Sequence, residues 1–384
     1  MADEKPARPD VVINGRFLTQ PVTGVQRYAR EVLRAMDAEL ARGDRSLPTL
    51  GLLAPAGTNL PPLAHIQARC VGRLRGHLWE QLELPWHSRG QLLWGLASTG
   101  PIAKARQSIT VHDAAVVRMP QTYSPAFRAW YRLVLARLGP RLPIIMSVSR
   151  FSAAEATACF GVPAQRTRVT LEGWQQNERL VPDPSVLVRH GLLNRPYILA
   201  VSSPTPNKNF QAIVDALTLL GEAAPVCVAV GAADPGVFRG ATLSLSLRHV
   251  GRVSDAQLLA LYRHARCFVF PSFYEGFGLP PLEAMAQGCP VLASTAEAVR
   301  EVCGDAARYF APDRPAELAA LLGSVLADAS LGASMSTAGL QRAAGFSWRA
   351  AARVHLDAMR ELLPQAAPHL AHHSGITLAQ DKSP

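Results

Sequence analysis

Short apolar runs alternate along the chain with stretches whose apolar positions recur every three to four residues. In the first half the runs are VVIN (11–14), LPTLGLLAP (47–55), QLLWGLA (91–97), SITVHD (108–113) and PIIMSVS (143–149). Helical periodicity fills 24–40, 124–138 and 152–160. The second half restarts the rhythm with PYILAVS (196–202), PVCVAVG (225–231), LRHVG (247–251), CFVFPS (267–272) and PVLAS (290–294). Helical stretches begin there at Asn209 and cover 255–264 and 280–287. Runs that are apolar throughout read as strands buried on both faces, and their alternation with helices predicts parallel sheets in an α/β fold. Two such series predict two Rossmann-like domains facing each other across a cleft. The polar, proline-rich stretch 173–196 separates them, giving domains at 1–175 and 176–345. Ligands of open parallel sheets bind beyond the carboxyl ends of the strands, so the cleft is the expected site.

Composition narrows the classes. Of the 384 residues 48% are apolar and 18% charged, as in a soluble globular protein. No apolar run approaches the ~18 residues that span a bilayer. MADEKPARPD lacks the apolar core of a secretory signal. The six cysteines, Cys70, Cys159, Cys227, Cys267, Cys289 and Cys303, form no C-x-x-C pair and read as reduced thiols of a cytoplasmic protein. The tail 364–384 is polar without a sustained period and is expected to be disordered. The net charge of +10 is lopsided: residues 1–180 hold 23 Lys and Arg against 13 Asp and Glu, whereas 181–384 hold 16 of each. This fits a first half that meets an anionic partner, phospholipid, a phosphate-linked substrate or nucleic acid, the alternative being a solubilising surface. Residues 124–143 combine Arg128, Arg132, Arg137 and Arg141 with Phe127, Trp130, Tyr131 and Leu133, the composition of a membrane-surface helix or of a domain helix with an exposed basic face.

The segment PSFYEGFGLPPLEAMAQGCPVLAS (271–294) carries Glu275 and Glu283. Eight positions of helix span about 12 Å at ~1.5 Å per residue, too far for two carboxylates to flank one glycosidic bond. They suit instead the two ends of one elongated polar ligand. Between them, glycines allow close backbone approach and prolines fit the first helical turn, where free N–H groups bind phosphate. The order reads as sugar carboxylate, diphosphate cradle, ribose carboxylate. The alternative is a glycine turn followed by a helix-start glutamate favoured by the dipole. In LAVSSPTPNKNF (199–210), Lys208 stands between a strand and a helix, where an ammonium stabilises a departing diphosphate.

EGFGLPPLE and its surroundings resemble the E-x7-E signature of family 4 retaining glycosyltransferases, which have the GT-B fold. LWEQLELP (78–85) and VHD resemble the mannosyltransferase-like subgroup. The resemblance covers about 11–363. It implies Glu275 beside the donor hexose, Glu283 on the nucleotide ribose, and Lys208 with the amides of Phe277, Gly278 and Leu279 on the diphosphate. It further implies backbone at Arg252 and Val253 against the base, Gly24 at an N-terminal glycine loop, and His112 near the sugar from the other domain. The helix 346–363, with Ser347 as cap, is expected to return to the N-terminal domain, which takes the acceptor. Two departures stand out. Ser202 occupies a position where many members carry Arg, and EGWQQN (172–177) replaces an Asn-Gly-Val-Asp turn, leaving Glu172 and Trp174 without an account. No Asp-x-Asp motif occurs, so no metal or other cofactor is expected.

The expected function is transfer of a hexose, from GDP-mannose, to a lipid-linked saccharide in surface polysaccharide synthesis. The site would be cytoplasmic, with peripheral contact at the inner face of the cell membrane. A UDP-sugar transferase, a sugar-nucleotide epimerase of the same fold and a non-catalytic nucleotide-sugar-binding protein stay open, and nucleic-acid binding rests on charge alone.

Overall fold

In the first lobe the apolar runs pair side by side, every strand parallel. The computed structural model describes residues 8–201, 205–231 and 247–364. Strands β1 (Val11–Asn14), β2 (Leu50–Pro55), β3 (Gln67–Val71), β4 (Leu92–Trp94) and β5 (Gln107–Ser108) form a sheet in the order 3-2-1-4-5. Strands β6 (Thr110–Val111), β7 (Ile145–Ser147) and β8 (Thr167–Val169) follow in the order 6-7-8. Only Ile109 separates β5 from β6, and its carbonyl accepts the Met146 amide at 2.9 Å, so one parallel surface continues across the break.

The second lobe holds β9 (Tyr197–Val201), β10 (Val226–Val230), β11 (Leu247–Gly251), β12 (Cys267–Phe270), β13 (Val291–Ser294) and β14 (Ala307–Phe310), ordered 11-10-9-12-13-14. The strand order reverses between β9 and β12. Loops leaving the carboxyl ends of those two strands flank a natural ligand crevice.

Three strands lie outside the runs read from the sequence: β3, β8 and β14. Each borders solvent. β3 buries no residue fully and β8 is half-buried throughout, so neither carries a continuous apolar signal. The helix expected at Asn209 begins instead at Gln211. Asn209 adopts φ 51°, a left-handed conformation that asparagine tolerates better than most side chains and that stops the helix from starting earlier.

The last helix, Trp348–Leu362, is capped by Ser347, whose hydroxyl accepts the Ala350 amide at 3.1 Å. It leaves the second lobe and packs against helix Gly24–Leu40 of the first. Its buried face is Trp348, Ala351, Ala352, His355, Leu356, Ala358 and Met359. Glu39 fixes it from the facing helix, 2.7 Å from Arg349 and 3.0 Å from Arg353. At the centre, His355 is fully buried; Trp94 donates its Nε1–H to His355 Nδ1 at 2.9 Å, and Nε2 lies 2.6 Å from the Tyr28 hydroxyl. Burial lowers this imidazole to about 3, so it is neutral, with Nε2 protonated. One hydrophobic cluster therefore runs through both lobes by way of this helix.

Cys227, Cys267, Cys289 and Cys303 are buried, Cys159 is half-buried and Cys70 exposed, all as free thiols. Among the described residues no single helix is long and apolar enough to cross a membrane. Ser202 and the expected tail from 365 onward lie outside the described residues.

Candidate active site

The loops after β9 and β12 are laced together. The first makes a 3-10 turn at Pro206–Lys208. Asn209 donates from Nδ2 to the carbonyls of Pro271 (3.1 Å) and Pro312 (2.7 Å), and the Phe273 amide donates to Asn207 O at 2.8 Å. This clamp places Lys208 Nζ 2.6 Å from Glu275 Oε1 and 5.7 Å from the Phe270 ring centre. The sequence reading put Lys208 on the diphosphate and Glu275 beside the hexose; in the protein they form an ion pair with each other.

The Glu275 loop is also docked on the first lobe. The Tyr274 hydroxyl accepts the Ala114 amide at 3.0 Å and donates to Glu155, which Arg118 holds through two bonds of 2.7 Å. The Gly276 carbonyl accepts from the hydroxyls of Ser149 (2.6 Å) and Ser152 (2.8 Å). A Cβ at Gly276 would overlap the His112 carbonyl oxygen, so glycine alone permits this approach. Gly278 follows with φ 116° and caps helix Leu279–Ala286. Pro280 and Pro281 lack N–H groups. The amides of Phe277, Gly278 and Leu279 donate to no acceptor among the described residues, which concentrates free donors beside Glu275.

Glu283 lies one turn into that helix, with only 7% of its surface exposed. Gln176 donates to it at 2.7 Å, and Trp348 Nε1 donates to Gln176 Oε1 at 2.6 Å. Burial pushes the Glu283 carboxyl up to about 7, against the pull of Arg27 and of the Gln176 bond. Arg27 is held across the cleft by Asp255 through bonds of 2.9 and 2.8 Å. Asp255 begins the helix that follows Arg252 and Val253, with Ser254 as its cap. Gly24, one turn before Arg27, faces open space where a Cβ would touch nothing, so packing does not explain the glycine there.

His112 is 5% exposed and lies 3.1 Å through Nε2 from the Leu96 carbonyl. Burial lowers it to about 4, which leaves a neutral ring donating from Nε2 and able to accept at Nδ1. Asp113 caps the Ala115 amide, and its carboxyl is raised by burial and by nearby Glu275. These two residues line a cavity of about 140 Å³ with Arg16, Tyr123, Phe127 and Tyr131. The three aromatics stack in series, with ring centres 5.2 and 4.1 Å apart. Phe127 and Tyr131, expected on a membrane-facing surface, border this cavity, while Phe127 (38%) and Leu133 (44%) of the same helix also stay exposed, and Trp130 donates to His77 Nδ1 at 3.1 Å. More exposed apolar side chains lie next door, on the helical stretch 76–87: Leu78 (63%), Leu82 (63%) and Trp86 (61%).

Glu172 and Trp174 now have neighbours. Trp174 donates to Ala343 O at 2.8 Å, and a Cβ at Gly173 would overlap the Trp348 amide nitrogen. Glu172 is 5% exposed, its Oε2 buried without a partner. Burial first, then the like charges of Glu283 and Glu275, push its carboxyl up to about 8.

The predicted Lys208, Glu275 and the 277–279 amides therefore lie beside the His112 backbone, and Glu283 lies one turn into the helix that follows them. Arg27, Gln176, Tyr274 and Glu155 were not singled out. Arg27 and Gln176 do stand inside the helical stretch 24–40 and EGWQQN, both marked in the sequence.

Residues 189–342 match the family described as Glycosyl transferases group 1. Over 258 residues the chain is 33% identical to the O-antigen chain mannosyltransferase B of Escherichia coli, covering 63% of this chain and 67% of that one. It is 28% identical over 270 residues to the serotype-specific mannosyltransferase WbdA of Escherichia coli; the match spans 66% of this chain and a third (33%) of that protein. The sucrose-phosphate synthase of Thermosynechococcus elongatus superposes with a TM-score of 0.71 at 19% identity, over 92% of this chain and 99% of that one.

Proposed function

This chain belongs to the glycosyl transferases of group 1, and on that premise we propose that it moves mannose from GDP-mannose, with retention, to a lipid-linked saccharide. It is a glycosyltransferase of the GT-B fold; the donor, the acceptor and the residue roles are this reading. What supports it most is the Lys208–Glu275 pair, 2.6 Å apart, beside a run of three unpartnered amides where the strand order reverses.

In the reaction the bond between the sugar C1 and the diphosphate oxygen breaks, and a bond to an acceptor hydroxyl oxygen forms on the same face, its proton passing to the departing diphosphate. Negative charge develops on the diphosphate. Lys208 and the amides of Phe277, Gly278 and Leu279 are placed to take it up, a role for preorganised donors in a site that excludes water. Glu275, released from Lys208 by the incoming phosphate, orients the hexose and steadies positive charge at C1. Glu283 accepts from the ribose hydroxyls. The backbone at Arg252 and Val253 meets the base, and the helix opening at Gly24 adds its amides from the first lobe. Neutral His112 accepts a hexose hydroxyl at Nδ1. The acceptor occupies the cavity lined by Tyr123, Phe127 and Tyr131, whose faces suit a saccharide ring. The division of the chain at 175/176 and a chemistry without metal belong to the same reading.

A panel of GDP-, UDP- and ADP-sugars tests the donor. GDP-mannose at a hundred times its Kd is expected to add about 2.7 kcal/mol of stability, read as a rise in thermal midpoint. A response to UDP-sugars alone favours the UDP-dependent alternative, and turnover of the donor without acceptor favours an epimerase. Silence from every nucleotide sugar overturns the proposal.

Contact with an anionic bilayer is placed on Leu78, Leu82 and Trp86, one helical turn apart and flanked by exposed Arg73, Arg75 and Arg89. Apolar side chains that enter the interface beside cations favour acidic lipid. Replacing Leu82 and Trp86 together by serine is expected to lower partition onto phosphatidylglycerol vesicles at least about tenfold, given ~1.5–3 kcal/mol per fully buried side chain. Turnover of a soluble acceptor should be unchanged. Equal sedimentation of both proteins with the vesicles rejects this surface.

A further inference from the structure

Glu172 has a setting that its neighbours do not explain. It follows β8 at the carboxyl end of the first sheet, and the chain on its far side is pinned where Gly173 meets the Trp348 backbone. Its Oε2 is buried with no partner, and no cation acts on it. Facing it are Glu283 and Glu275 from the second lobe and Tyr28 from helix Gly24–Leu40. The nearby cations are engaged elsewhere, Lys208 with Glu275 and Arg27 with Asp255.

A buried carboxylate among two others, without cation or hydrogen bond, is an expensive arrangement to keep for packing alone. The same group carrying its proton is an O–H donor instead. On the same turn Gln176 bonds Glu283 at 2.7 Å, at the ribose end of the proposed donor; on the other side the Thr170 amide bonds Ser147 O at 2.8 Å, two residues before Ser149, which holds the Gly276 carbonyl beside Glu275 at the hexose end. What lies between those ends is the diphosphate.

We propose that Glu172 binds the donor as a neutral carboxylic acid, giving its O–H as a hydrogen bond to a diphosphate oxygen. This rests on the donor reading above and deepens it. An ionised carboxylate there would repel the diphosphate, whereas the protonated form adds a donor without adding charge. No bond is made or broken; the proton stays on Glu172 and is shared.

The sign of the pH dependence follows. Burial and like charge hold the free carboxyl near 8, and a bound diphosphate raises it further. Donor affinity is thus full below pH 8. Above it, affinity falls by about a factor of ten per pH unit, because one proton must be taken up for each donor bound. Glu283, near 7, acts in the opposite sense, since ribose hydroxyls donate to its ionised form; its limb lies at lower pH and is common to wild type and variants.

The test is GDP-mannose binding to the full chain without acceptor, by calorimetry from pH 6 to 9.5, for the wild type, Glu172→Gln and Glu172→Ala. Glutamine keeps a donor but has no proton to lose. Its alkaline limb should vanish, and the proton uptake that the wild type shows at pH 8.5 in buffers of different ionisation enthalpy should vanish with it. Alanine should weaken binding about tenfold or more at pH 7, the loss of one hydrogen bond to a charged group. Thermal midpoints equal to or above that of the wild type show that both variants fold. An unchanged alkaline limb in Glu172→Gln, or unchanged affinity in Glu172→Ala, overturns the role of Glu172 and leaves the donor reading intact. If neither GDP-mannose nor any other nucleotide sugar binds the wild type, the donor reading falls and this role falls with it.

Discussion

Replacing Lys208 by alanine is expected to lower kcat by about 10²–10³-fold while the protein remains folded, the loss seen when one preorganised donor to developing negative charge is removed. The side chain is a quarter exposed and belongs to no hydrophobic cluster, so its removal opens no core cavity. The loss has two sources. The departing diphosphate is left with the amides of Phe277, Gly278 and Leu279 as its donors in this loop. Glu275 also loses the ammonium 2.6 Å from its Oε1, the partner that orients its carboxylate. Because the cation matters most as charge develops, kcat should fall more than donor affinity. Lys208→Arg should recover part of the rate, since it keeps the charge but not the compact geometry. Steady-state and single-turnover kinetics beside far-ultraviolet circular dichroism make the check. A kcat within threefold of wild type removes Lys208 from the chemistry.

Gly276→Ala is expected to do comparable damage by a different route. The added methyl has nowhere to go: the obstacle is the His112 carbonyl, which is backbone and already 2.7 Å from the Ser152 hydroxyl. The loop must withdraw from the first lobe, and the two serine bonds to the Gly276 carbonyl lengthen with it. Glu275, the preceding residue, moves by the same amount. A displacement of about 1 Å at a reacting centre can lower the rate some 10²-fold. The thermal midpoint should also fall, because the lobes lose a contact, yet each lobe keeps its own sheet. Alanine at the open Gly24 is the contrasting substitution and should leave the midpoint unchanged. Wild-type kcat in Gly276→Ala would show that the loop tolerates withdrawal and that its docking is irrelevant to turnover.

What the sequence revealed and what it hid divide along a physical line. Central strands such as Val226–Val230, buried at every position, announce themselves as continuous apolar runs. The edge strand Gln67–Val71, with no fully buried residue, carries no such mark. Within the site, Glu275, Gly278 and Glu283 were readable because one loop and one helix hold them in consecutive sequence. Lys208 was readable because a strand and a helix bracket it, although its partner is 67 positions away. Arg27 was not, because its partner Asp255 lies 228 positions on and only lobe closure joins them. Gln176 and Tyr274 failed for the same reason, reaching across 107 and 160 positions. The helix Pro125–Leu138 was readable from its periodicity, and it buries Val134, Leu135 and Leu138. Periodicity could not show that Phe127 and Tyr131 border a cavity, because that depends on neighbours contributed by other elements.

The final helix has a consequence for how the molecule is made. Trp348–Leu362 supplies the surface that covers Tyr28, and His355 seats against Trp94. Tyr28 and Trp94 leave the ribosome 327 and 261 residues before His355. Nascent chains tend to fold from the amino end as they emerge, but here the early lobe waits, its apolar flank uncovered, until Trp348–Leu362 has emerged. Birth order and completion order are thus reversed, and the half made first is the last to close.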